Sequence, residues 1–120
     1  MYQSFEELEV WKRGCQLAVA VHEALRGTRE FGLRNQMQRA AVSIPSNIAE
    51  GAERGGKEFE RFFRIARGSA AELRTQLYIA RRIGILPDGP FSDLIRDVKE
   101  ISKMLTGLSR ALARKSSTEH

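Results

Sequence analysis

Lys57, Arg64, Arg67, Arg74, Arg81 and Arg82 recur along one segment of the chain at steps close to multiples of a helical turn. Advanced by 100° per residue, they fall within one sector of about 120°. Guanidinium groups set out in such a row are suited to gripping phosphates, because each offers a planar fork of donors that matches two phosphate oxygens. The same row also reads as a solvated helix surface, cross-linked by pairs such as Glu60 with Arg64 at i,i+4. Charge alone leaves both readings open.

Other chemistry is thinly represented. Gly51, Gly56 and Lys57 fit the G-x-x-x-x-G-K frame of a phosphate-binding loop, but that motif needs a strand before it and a Ser or Thr after the lysine to hold magnesium. Here the preceding residues are helix formers and position 58 is Glu58, so nucleotide hydrolysis is not expected. Cys15 and His22 lie seven residues apart on one helix, about 10 Å along its axis, too far for a thiolate and its base. Both fall on an apolar stripe and are expected in the core. The Glu-x-x-His signature of diiron bundles is missing, since Glu72 is followed at that spacing by Thr75. No catalytic residues, metal ligands or cofactor are expected, and the chain is not expected to be an enzyme.

Pro45 stands inside an otherwise helical pattern, where its missing N–H leaves the Ala41 carbonyl without its usual partner. A kink is expected there. Ser43, Ser46 and Asn47 cluster around it and are suited to repairing the break by hydrogen bonds to freed backbone groups. A polar site made of Ser46, Asn47 and Glu50 is the alternative.

These residues sit on four expected helices. The first spans about 5–26, opened by Ser4 with Glu7 at the capping-box spacing, and carries a stripe of Leu8, Trp11, Cys15, Ala18, His22 and Leu25. The second spans about 33–54 and the third about 57–83. The third buries Phe59, Phe62, Ala66, Ala70, Leu73, Leu77 and Ala80 in a sector of about 80°. IGILPDGP then stops it. A fourth helix spans 91–112, with Phe91, Leu94, Val98, Ile101, Leu105, Leu108 and Leu112 in a/d register. Rods of this length joined by short turns imply an all-α, antiparallel, up-down-up-down four-helix bundle, residues 1–112, followed by a polar tail, 113–120. Helix one has a second apolar row, Val10, Leu17 and Val21, and helix three has Ile65, Ile79 and Ile83 beside its main stripe. That additional width suggests a self-association surface.

The chain is 120 residues long and 42% hydrophobic, enough for one domain. Its net charge of +5 is concentrated: residues 1–32 carry −1, residues 33–83 carry +5 and residues 84–120 carry +1. Fifteen arginines against five lysines, with a pI near 9.9, favour a polyanionic partner. Phe59, Phe62 and Trp11 look committed to the core, so base stacking is not expected. The single cysteine excludes a disulfide within the chain, no long apolar run suggests a membrane span, and no leader pattern is present. The expected compartment is the cytoplasm.

SIPSNIAEG, KEFERFF, IARGSAAELRTQL and ARRIGIL, preceded by FEELEVWKRGCQLA, closely resemble the four-helix-bundle proteins of the 23S rRNA intervening-sequence family, also called S23 ribosomal proteins. More distantly they are similar to the accessory protein of diversity-generating retroelements. The resemblance covers about 5–112. It implies a small cytosolic bundle assembling as a ring, typically a homopentamer, whose relatives in retroelements bind nucleic acid and a reverse transcriptase. By that analogy Arg54, Lys57, Arg64, Arg67, Arg74 and Arg81 are the nucleic-acid-binding candidates. The alternative is an adaptor or scaffold for a partner enzyme, with no nucleic-acid binding of its own. One departure is Gly56, where relatives often carry a hydroxyl or amide side chain before Lys-Glu-Phe, which implies a weaker cap for the third helix.

Overall fold

A computed structural model describes residues 4–118. A 3₁₀ turn at Phe5–Glu7 precedes four α-helices: α1 (Glu9–Ala24), α2 (Phe31–Arg54), α3 (Gly56–Arg82) and α4 (Asp88–Thr118). No strand occurs among the described residues. Helices adjacent in sequence pack on one another and α1 closes the set against α4, giving a bundle of 51 × 22 × 21 Å.

The helix ends follow local chemistry. The Ser4 N–H donates to Glu7 Oε2 at 3.2 Å, but this box caps the 3₁₀ turn and not α1. Leu8 is extended between the two, and the turn lays the Phe5 ring edge-on to Trp11, centroids 5.3 Å apart. Gly55 and Gly56, both at positive φ, reverse the chain between α2 and α3 where a Cβ would be strained. Gly55 is the N-cap of α3, without a capping side chain. At the other end Gly84 adopts φ +83°, and the Ile85 N–H reaches back to the Ala80 carbonyl at 3.1 Å, the Schellman arrangement that satisfies free carbonyls. Helix α4 begins at Asp88, three residues before the expected Phe91, because Pro90 falls in its first turn, where no backbone donor is needed. It also continues past Leu112 to Thr118. Glu119 and His120 of the expected tail lie outside the described residues.

The core corrects the expected orientation of α1. Val10, Leu17 and Val21, expected at a subunit contact, are instead 1%, 2% and 0% exposed inside the chain's own core, whereas His22 is exposed, with Nδ1 3.2 Å from Gln38 Nε2. The reason is Gly14. A Cβ at Gly14 would stand 3.3 Å from Pro45 Cβ, so the glycine lets α1 approach α2 and turns the Val10–Gly14–Leu17–Val21 row inward. Cys15, Trp11 and Leu8 become half-buried flanks.

On α3 the expected Ala66, Ala70, Leu73, Leu77 and Ala80 are fully buried, joined by Phe63. Phe59 and Phe62 are only half-buried. The α4 stripe from Phe91 to Leu105 is buried as its register predicts, with Leu108 and Leu112 at its margin. Burying such side chains stabilises the bundle by about 1.5–3 kcal/mol for each large aliphatic or aromatic residue.

Candidate nucleic-acid interface

Helix α3 has two edges of different construction. Toward α2 it is closed by small groups: Ser43 and Ser69 hydroxyls meet at 2.7 Å, and a Cβ at Gly51 would stand 2.8 Å from Phe62 Cβ. Asn47 Nδ2 donates to the Ser43 carbonyl at 2.8 Å and to its hydroxyl at 2.9 Å. The polar residues around Pro45 therefore stitch two helices together as well as bonding the backbone. Ser46 is exposed and Glu50 pairs with Arg54 at 3.6 Å, and with Asn47 they line a shallow depression of about 420 Å³ beside Phe62.

Toward α4 the edge is open. Arg64, Arg67 and Arg74 line a groove of about 660 Å³, with Ser102 and Thr106 of α4 on its other wall. Arg64 is held by Glu60 at 3.2 Å, the i,i+4 pair that spacing predicts. Arg67 is half-buried and Arg74 exposed, and neither has an ion-pair partner among the described residues. Thr75 and Thr106 donate their hydroxyl hydrogens to the carbonyls of Ala71 and Ser102, at 3.0 and 2.9 Å, which leaves their oxygens as acceptors. The groove thus offers guanidinium donors on one side and hydroxyl acceptors beside them.

The other candidates are dispersed. Arg81 pairs with Asp88 at 3.0 Å and stacks 4.8 Å from the Phe91 centroid, bordering an adjoining depression with Tyr78 and Arg82. Arg54 lies at the far end of the α2–α3 hairpin, its guanidinium 5.1 Å from the Phe62 ring. Lys57 is exposed in the first turn of α3. Of the six candidates, the fold gathers three into one groove.

Tyr78 is a groove residue that sequence reasoning misses. It is 44% exposed and borders both the groove and the adjoining depression. Its signal lies in the helical wheel, where it falls at the middle of the cationic sector of about 120°. The G-x-x-x-x-G-K frame, by contrast, runs through the end of α2 and the glycine reversal, with no strand ahead of it.

Among the described residues Glu100 and Cys15 are shifted, both away from the groove. A hydrogen bond from Arg13, 2.7 Å from Glu100 Oε2, holds the Glu100 carboxyl below the usual carboxylate range. Burial pushes the Cys15 thiol up, which disfavours the nucleophilic thiolate.

The profile of the 23S rRNA-intervening sequence protein family matches residues 6–107. The chain belongs to that family. A crystal structure of a protein of unknown function from the S23 ribosomal protein family of Bacteroides thetaiotaomicron superposes with a TM-score of 0.79 at 24% identity. The match covers 83% of this chain and 97% of that one, a likeness of fold. No curated protein matches significantly. Within the family's matched span lie all three groove arginines, Tyr78, Ser102 and Thr106. No helix of the described residues is long and apolar enough to cross a membrane.

Proposed function

We propose that this family member is a non-enzymatic, cytoplasmic, oligomeric bundle that binds RNA or DNA through phosphates at its arginine-bearing α3 edge. The observation that carries this reading is the convergence of Arg64, Arg67 and Arg74 on one groove, the latter two without a carboxylate partner among the described residues. Guanidinium groups left uncompensated along a groove attract a phosphate chain, and binding of this kind weakens steeply with salt. Fluorescence anisotropy with labelled RNA and duplex DNA, from about 50 to 200 mM salt, tests it. Absence of binding at the lower concentration would remove the proposal.

The exposure of Ile65, Ile79 and Ile83, at 42%, 44% and 52%, supports self-association, now without the α1 row. A homopentamer is the expected state, and multi-angle light scattering of the wild type and of Ile79→Glu tests it. The same apolar side chains favour a second reading, an adaptor that docks a partner enzyme such as a reverse transcriptase. Reversal of Arg67, Arg74 and Arg81 to Glu separates the two. Lost nucleic-acid binding with intact assembly supports the first, whereas a retained protein partner and no nucleic-acid binding by the wild type supports the second.

A further inference from the structure

We infer that Tyr78 is a stacking platform for an unpaired base, making the α3–α4 groove selective for single-stranded over duplex nucleic acid. This rests on the phosphate-binding reading above and adds a base-contacting residue to it.

Three observations converge on Tyr78. First, it stands among cations. Arg74 lies one turn before it and Arg81 and Arg82 one turn after, so phosphates on either side of a base would lie within about 6 Å of its level along the axis. Second, its ring is available yet held. It is 44% exposed and packs edge-on to Phe91, centroids 5.4 Å apart at 63°, while Phe91 itself is 7% exposed and fixed in the core. A ring oriented by a buried neighbour loses little freedom when a base covers it. Third, the other aromatic rings of α3 are occupied differently. Phe63 is in the core, Phe59 packs edge-on to it with centroids 4.9 Å apart, and Phe62 is flanked by Arg54 and Arg61. Tyr78 alone among them borders the groove that holds Arg67 and Arg74.

A duplex keeps its bases stacked on one another and presents only phosphates and groove edges, so it gains the arginines and not the ring. An unpaired strand gains both. The Thr75 oxygen, nearly one turn before Tyr78, adds an acceptor on the same groove.

The test compares three probes on the full chain at low salt: a thymidine strand of about 20 nucleotides, an abasic strand of equal length, and a duplex. The wild type is expected to bind the thymidine strand about 5- to 100-fold more tightly than the abasic one. Tyr78→Leu should erase that difference while leaving abasic and duplex affinity unchanged, and Tyr78→Phe should retain it. Equal affinity of the wild type for thymidine and abasic strands overturns the stacking inference and leaves phosphate binding standing. No binding of any probe overturns both. Tyr78→Leu weakening all three probes alike, with a changed molar mass by light scattering, overturns the inference in favour of a subunit contact. Circular dichroism melting confirms that the variants compared are folded.

Discussion

The two edges of α3 are built from the same helix but on opposite principles. Against α2, the contacts are between small groups, Gly51 under Phe62 and Ser43 on Ser69, and the backbones come close enough to exclude long side chains. Against α4, the long side chains of Arg64, Arg67 and Arg74 and the Tyr78 ring stand beside a groove. Close packing uses up a surface, since what it buries can no longer meet a ligand. The α2 edge therefore supplies rigidity, and the α4 edge keeps its cations in reach of solvent.

Glycine substitutions should break this contrast most sharply. Gly51→Val places a Cβ 2.8 Å from Phe62 Cβ and 3.0 Å from the Phe59 carbonyl oxygen, neither the end of a flexible side chain. It should cost about 3 kcal/mol or more in urea denaturation. The α4 edge answers to charge instead. Arg67→Ala with Arg74→Ala should leave the denaturation midpoint nearly unchanged, but lower the slope of log affinity against log salt by about 2 and weaken duplex and single strand alike. An unchanged slope would show that these guanidiniums do not meet phosphate.

Smaller effects refine the comparison. Ser69→Ala removes the 2.7 Å hydroxyl contact to Ser43, for an expected loss of about 1 kcal/mol by denaturation. Gly68 lies in the middle of α3 and on the groove, and a Cβ added there would meet nothing within 4 Å. Gly68→Ala should stabilise by about 0.5–1 kcal/mol through helix propensity, the opposite sign to a side chain at Gly51.

How much of this is legible in the sequence follows from side-chain size. A heptad run of large apolar residues marks α4, and on α3 Leu73 and Leu77 with Ala66, Ala70 and Ala80 mark the buried side, because only one orientation buries them all. The orientation of α1 escapes such a pattern because Gly14 contributes no hydrophobicity, yet its lack of a side chain is what admits Pro45 and rotates the helix. Phe62 and Phe63 are neighbours that periodicity separates poorly. Gly51 decides between them by admitting Phe62 Cβ and the Phe59 backbone against α2 while Phe63 enters the core. The arginine row is visible as a pattern, but which members share a groove depends on the opposite wall, Ser102 and Thr106 of α4, and no local pattern encodes that juxtaposition.

The smallest effect is expected at a third seam, where Arg13 of α1 meets Glu100 of α4 at 2.7 Å. The folded-state pKa of Glu100 is depressed, so its contribution to stability is present above the unfolded-state pKa and is lost as pH falls through the folded one. Glu100 is exposed, so solvent screens the pair and the effect on the melting midpoint should be slight. A carboxyl NMR titration of Arg13→Ala should return Glu100 toward the ordinary range of about 4.3. A midpoint difference between wild type and Glu100→Gln that is small at neutral pH should vanish in acid. Because this bridge lies outside the groove, nucleic-acid affinity in Arg13→Ala should fall only by the long-range share of one charge. A loss as large as that of Arg67→Ala would mean that the basic surface acts as a diffuse field and that the α4 edge of α3 holds no privileged site.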